Sequence, residues 1–199
     1  MTIIRVGNIE SVTDVEGPGK RFALWVAGCT FRCKGCCNPH LFSKSAGSDL
    51  DSSEIISQLE AVKDQVEGIS LLGGEPMEQP LQLVPVAKAA KEMGLSVMIY
   101  SGFLLEDIQA CEDKSKLLEY ADLLVDGQFD KDKRTTERRW IGSTNQRLHY
   151  LTDFYSEEDH RFSDSNEITL TYKDGELTVV GFPQWNIFNQ KDGFEEVIE

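Results

Sequence analysis

The sequence predicts an α/β fold built on a mostly parallel sheet, and three observations lead to it. Four short apolar runs rich in β-favouring residues, RFALWVAG (residues 21–28), GISLLGG (68–74), LSVMIYSG (95–102) and ADLLVDG (121–127), read as strands. Between them lie segments whose apolar residues recur at helical spacing, so the chain alternates as βαβ units do, with right-handed crossovers. About four strands by residue 127 are too few for a closed eight-stranded barrel, which leaves an open sheet or a partial (β/α) barrel.

The first run follows the turn-rich EGPGK (16–20) and delivers the chain into a cysteine-rich loop. SSEIISQLEAVKDQ (52–65) opens on serine cap candidates and places Ile55, Ile56, Leu59 and Val62 at helical spacing. PLQLVPVAKAAKEMG (80–94) predicts a helix with Leu83, Val86, Ala87, Ala90 and Met93 on one side. Gly94 is its stop, and Pro85 is tolerable only within about its first turn. LLEDIQACEDKSKLLEYA (104–121) reads as one or two helical pieces. Beyond Tyr150 the pattern changes: EITLTYKDGELTVVGF (167–182) alternates around Asp174-Gly175, the signal of a tight hairpin, expected to pack on the sheet edge.

With 199 residues and 40% hydrophobic composition, one domain with a short appendage is expected. The division falls between a core at residues 1–150 and an extension at 151–199. The extension carries 12 acidic and 3 basic residues, net −9, against 22 acidic and 17 basic, net −5, in the core. A total of −14 argues against a nucleic-acid partner, whose phosphates need clustered Lys and Arg. No 18-residue apolar run predicts a membrane span, and MTIIRVGNIESV has no signal-peptide pattern, so a cytoplasmic location is expected.

GCTFRCKGCCNP (28–39) holds four of the five cysteines. In a reducing compartment, clustered thiols point to metal or redox chemistry rather than disulfides. A structural zinc site commonly uses two separated ligand pairs, and one close C-x2-C pair is present here, with His40 as a conceivable fourth ligand. A [4Fe–4S] cluster takes thiolates at its corners. Cys29, Cys33 and Cys36, spaced C-x3-C-x2-C, can hold three corners and leave one iron open. The side chains of adjacent Cys36 and Cys37 point apart, so Cys37 reads as a bystander. Cys111, alone in LEDIQACEDK, reads as a packing residue. EGPGK is not a phosphate loop, because Arg21 stands where Ser or Thr is needed.

The C-x3-C-x2-C spacing resembles that of the radical S-adenosylmethionine (SAM) superfamily. GGEP (73–76) follows the second strand, 37 residues past Cys36, where that superfamily carries its SAM-contacting motif. Further segments, EGPGKRFALWVAGCTFRCKGCCNP, GGEPM, VMIYSG, ADLLVDGQF and RRWIGSTNQR (138–147), are similar to the activating enzymes of anaerobic ribonucleotide reductase, across roughly residues 3–150. Two positions depart from that family: Cys37-Asn38 replaces an aromatic-Asn pair, and Gln128 stands where Lys is usual.

The resemblance implies a partial barrel of the radical SAM type. It also implies that Cys29, Cys33 and Cys36 bind the cluster, with SAM chelating the open iron. Phe31 is then near the adenine, or else a core aromatic. Gly73, Gly74, Glu75 and Pro76 hold the methionyl end. Asn38, Ser101 and Asp126 are further candidates for cofactor contact, Ser101 because ligands of α/β sheets lie beyond the strands' carboxyl ends. Asn145, Gln146 and Arg147 either close over SAM or bond their own loop. The implied chemistry is reduction of the cluster by an external donor, reduced flavodoxin or ferredoxin, and reductive cleavage of SAM to methionine and a 5′-deoxyadenosyl radical. The implied target is a glycine of a glycyl radical enzyme, an anaerobic ribonucleotide reductase. A ribosomal peptide or small molecule is the alternative target, and a non-enzymatic iron–sulfur module the third reading.

Overall fold

The computed structural model describes residues 2–164, 166–173 and 176–181. Seven strands form one mixed sheet in the order β3-β1-β2-β4-β5-β6-β7. They span Ile3–Thr13 (β1), Arg21–Val26 (β2), Ser48–Asp51 (β3), Gly68–Gly73 (β4), Ser96–Tyr100 (β5), Leu123–Asp126 (β6) and Arg147–Tyr150 (β7). The four strands read from the sequence are its parallel centre, β2-β4-β5-β6. The antiparallel β1, β3 and β7 flank that centre and were not legible in advance. β1 slips register between Val6 and Asn8 and between Glu10 and Thr13, which spoils its period of two, and β3 is only four residues, SDLD.

Among the described residues four α-helices connect the strands: α1 (Ser52–Val62), α2 (Pro80–Glu92), α3 (Leu105–Ala110) and α4 (Glu112–Leu118). Asp51, not a serine, caps α1, its Oδ1 accepting the Ser53 N–H at 2.9 Å. Pro80 opens α2, and Gly94 follows its end at φ +79°. Pro85 falls in the second turn of α2, where its ring leaves the Leu81 carbonyl without a helical donor.

All four helices cover one face. Alternation along the strands sends Phe22, Leu24, Val26, Ile69, Leu71, Val97, Ile99 and Leu124 into that helix-covered core with Ile55, Leu59, Leu83, Val86, Ile108 and Leu117. The intervening residues, Ala23, Trp25, Leu72, Met98, Tyr100, Leu123 and Val125, face the other way, where loops and the C-terminal segment cover the sheet. Among the described residues no helix is long and apolar enough to cross a membrane.

At the start of β2, fully buried Arg21 donates to Ser70 Oγ at 3.1 Å, Ser96 Oγ at 2.5 Å, Tyr155 OH at 3.2 Å and the Ile69 carbonyl. Tyr155 in turn donates to Glu67 Oε1 at 2.6 Å, so this network fastens the residues after β7 to the sheet. Arg21→Ala strands these acceptors and opens a cavity; a loss of ~3 kcal/mol or more is expected in urea unfolding. A loss below ~1 kcal/mol contradicts that role.

The predicted hairpin forms as β8 (Ile168–Lys173) and β9 (Glu176–Gly181), with Lys173 opposite Glu176. Its turn, Asp174-Gly175, lies outside the described residues. The pair is a separate two-stranded sheet and does not extend the edge of the larger one as expected. Instead Val180 is buried against Val15, Ala23, Trp25, Leu41 and Leu72 on the face opposite α1 to α4, where apolar strand residues need a cover.

Candidate functional site

A cavity of about 560 Å³ opens where the parallel strands end. Each strand contributes from its carboxyl side: Cys29 after β2, Gly73 to Glu75 after β4, Ser101 and Gly102 after β5, and Gly127 and Gln128 after β6. This is the end at which α/β sheets take ligands.

The cysteine loop is anchored at its start by backbone bonds from Gly28 N–H to the Leu41 carbonyl (2.9 Å) and from Cys29 N–H to the Phe42 carbonyl (3.1 Å). The Cys36 N–H to Cys33 carbonyl bond, at 3.2 Å, folds its middle. Cys29, Cys33, Cys36 and Cys37 all line the cavity. Burial pushes the Cys29, Cys33 and Cys36 thiols up, Cys36 to about 11, and backbone N–H groups aimed at the sulfurs oppose it. Those donors come from Arg32 and Phe31 to Cys29, from Phe129 to Cys33, and from Asn38 to Cys36 at 3.4 Å. Burial also pushes the Cys37 thiol up, but the group bonded to it is the Arg134 side chain.

Glu75 is 2% exposed at the turn after β4. Its Oε1 accepts Met77 N–H and Ser101 Oγ–H, each at 2.8 Å, and its Oε2 accepts Gly102 N–H at 2.7 Å. Burial dominates over these donors and pushes its carboxyl up to about 7. One carboxylate thus ties the end of β4 to the loop after β5. The two glycines before it serve a contact the sequence did not disclose. Gly73 lies against the Trp25 and Val26 backbone, and a Cβ on Gly74 would overlap the Gly28 carbonyl, so the pair seats β4 against the root of the cysteine loop.

Of the predicted site residues, Cys29, Cys33, Cys36, Phe31, Asn38, Gly73, Gly74, Glu75 and Ser101 line the cavity, and Pro76 and Asp126 do not. Pro76 begins a short 3-10 turn beneath it. Asp126 is fully buried, and both its oxygens are engaged: Oδ2 accepts Leu105 N–H at 2.7 Å and an Arg147 bond, and Oδ1 accepts Arg147 Nε at 2.9 Å. Its place at a strand end suggested a ligand contact, but its neighbours consume it. Phe31 stands edge-on to Phe103 with centroids 4.7 Å apart. The Gln146 amide bonds Gly127, Gly142 and Ser143 backbone, and Asn145 bonds the Gln128 carbonyl, so both shape their own loop.

Residues missed from the sequence are Trp25, Leu72, Tyr100 and Glu16. Glu16 looked like part of a turn, yet it is 3% exposed, and its Oε1 accepts Gly181 N–H at 2.8 Å. Burial pushes its carboxyl up to about 8, with the Gly181 bond opposing. A carboxyl whose folded pKa lies above its unfolded 4.5 keeps its proton preferentially in the folded chain. Its contribution to stability is therefore full below about pH 4.5 and is lost as pH rises toward 8. Between pH 5 and 8 the wild type should lose up to roughly 4 kcal/mol more than Glu16→Gln. Urea unfolding at both pH values measures this, and parallel losses contradict it.

Residues 15–149 match the family described as a 4Fe-4S single cluster domain. Over 147 residues the chain is 31% identical to the anaerobic ribonucleoside-triphosphate reductase-activating protein of Pasteurella multocida, covering 70% of this chain and 93% of that protein. The Vibrio cholerae protein of the same name is 33% identical over 146 residues, covering 69% and 92%, and that of Enterobacteria phage T4 is 33% identical over 147 residues, covering 70% and 89%. The chain belongs to this family of activating proteins.

The donor set fits the cluster that the family's domain implies. Three cavity-lining thiols lie together at the strand ends, and Cys36 receives the Asn38 N–H at 3.4 Å, the kind of hydrogen bond that tunes cluster sulfurs. Among the described residues no three His, Cys, Asp or Glu side chains converge on a single ion. A cluster, whose thiolates occupy separate corners, requires no such convergence.

Proposed function

We propose that the chain is a radical SAM enzyme that installs a glycyl radical on a partner, an anaerobic ribonucleotide reductase. The observation that carries this reading is the meeting of two motifs at one cavity: Cys29, Cys33 and Cys36 with their backbone donors, and Gly73-Gly74-Glu75 seated against Gly28. Bound there, a [4Fe–4S] cluster and SAM would supply the chemistry of one-electron C–S cleavage to methionine and a 5′-deoxyadenosyl radical able to abstract a hydrogen atom from the target.

The protein's share is holding, orienting and excluding. Cys29, Cys33 and Cys36 hold the cluster, and Cys37 stays outside it. Glu75, fixed by Ser101, Gly102 and Met77, presents a carboxylate for the methionyl ammonium once ionised, and pairing with that cation lowers its pKa. Phe31, Asn38 and Ser101 complete the cofactor wall, while Trp25, Leu72 and Tyr100 keep water and other hydrogen donors away. Asp126 positions the loop before α3 through Leu105 and has no part in cofactor contact.

The reading includes a radical SAM core at residues 1–150 curled as a partial barrel, an acidic extension at 151–199, a reduced flavodoxin or ferredoxin as electron donor, and a cytoplasmic setting. Anaerobic reconstitution with iron and sulfide, followed by dithionite and SAM, should give 5′-deoxyadenosine, and Cys29→Ala should give none. No product from the wild type, or equal product from both, overturns the reading.

A further inference from the structure

The C-terminal hairpin, which lies beyond the residues matched by the family, reaches into the cavity. Val179, Val180 and Gly181 form part of the same wall as Cys36, Trp25 and Leu72. The Val180 side chain, 8% exposed, is anchored among Val15, Trp25, Leu41 and Leu72. Beside it the Gly181 N–H is held by buried Glu16. Gly181 has φ +104°, and a Cβ there would lie 3.2 Å from Val15 Cβ in the slot and 2.5 Å from the Glu167 carbonyl of its own hairpin, so the position takes glycine. An extended strand therefore enters the cavity with one apolar side chain in a slot, one backbone N–H on a carboxyl, and a glycine facing the site. Among the described residues β8 and β9 pair only with each other, so the hairpin can lift β9 out without unzipping the core sheet.

Resting on the function proposed above, we propose that this slot is the docking groove for an extended, glycine-bearing strand of the partner, and that β9 occupies it as an internal stand-in which the partner strand displaces. A tethered occupant competes at high effective concentration and weakens every external strand. Expelling it should tighten docking.

Val180→Asp, in the full-length reconstituted protein, places a carboxylate in the apolar slot and expels β9. A fluorescein-labelled peptide ELTVVG, the sequence of residues 176–181, should bind this variant at least tenfold more tightly than the wild type by anisotropy. Adding Trp25→Ala should abolish the gain, and ELTVVA should bind at least tenfold more weakly than ELTVVG. Should Val180→Asp fail to fold by circular dichroism, Val180→Gly, which removes the anchor without burying charge, must shift affinity in the same direction. With a purified anaerobic ribonucleoside-triphosphate reductase, Val180→Asp should lower the KM for reductase about tenfold. Equal peptide affinity in wild type and variant, a gain that survives Trp25→Ala, indifference to the glycine, or an unchanged KM each overturns the proposal. Absence of 5′-deoxyadenosine from both proteins would instead sink the radical SAM reading, leaving the peptide result to stand on its own.

Discussion

Alanine at Cys29, Cys33 or Cys36 should abolish the visible absorption of the reconstituted cluster and reduce 5′-deoxyadenosine formation to background, whereas Cys37→Ala should retain both. The distinction is physical, because all four thiols line the cavity and proximity alone does not separate them. What separates them is the donor each sulfur receives. Backbone N–H groups near Cys29, Cys33 and Cys36 oppose the upward push of burial, and the Asn38 N–H reaches the Cys36 sulfur at 3.4 Å. Cys37 is met by the Arg134 side chain and follows Cys36 directly, and adjacent side chains are not expected to share one cluster. Iron and sulfide content after desalting, read beside the absorption, checks the series. A Cys37→Ala protein that loses its cluster would show that a different set of three is used.

Gly74→Ala should be severely damaging to the site. Its Cβ would overlap the Gly28 carbonyl, which also accepts the Glu75 N–H at 2.8 Å, and neither backbone can yield without moving the cysteine loop. A loss of ~3 kcal/mol in urea unfolding is expected, together with loss of cluster uptake. Gly94→Ala is the control: Gly94 has φ +79° and nothing within 4 Å of the added methyl, so only backbone strain is felt, ~1 kcal/mol. Equal costs at the two positions would mean that close approach at Gly74 does not matter.

The parallel centre was legible because β2, β4, β5 and β6 are buried on both faces and read as short continuous apolar runs. The flanking strands were not, since β1 is bulged and β3 is short and polar. At the site, nine candidates were legible as cavity residues because they sit in motifs at strand ends. Asp126 shows where that logic stops: a carboxylate at a strand end is spent when a cation claims both its oxygens, as Arg147 does, whereas Glu75 meets only neutral donors and lines the cavity. Glu16 and Gly181 fail in the opposite sense. They are 165 positions apart in sequence, and nothing local in EGPG or VVGF announces that one bonds the other. The GGEP glycines were found for the right place and a partial reason, since their freedom is spent on the Trp25 to Gly28 backbone.

Electron spin resonance on a mixture of the reconstituted protein, SAM, dithionite and a purified anaerobic ribonucleotide reductase tests the central claim most directly. A glycyl radical signal on the reductase, dependent on SAM and absent when Cys33→Ala replaces the wild type, is the expected result. A wild-type protein that makes 5′-deoxyadenosine yet leaves the reductase without that signal would contradict the assignment of its target.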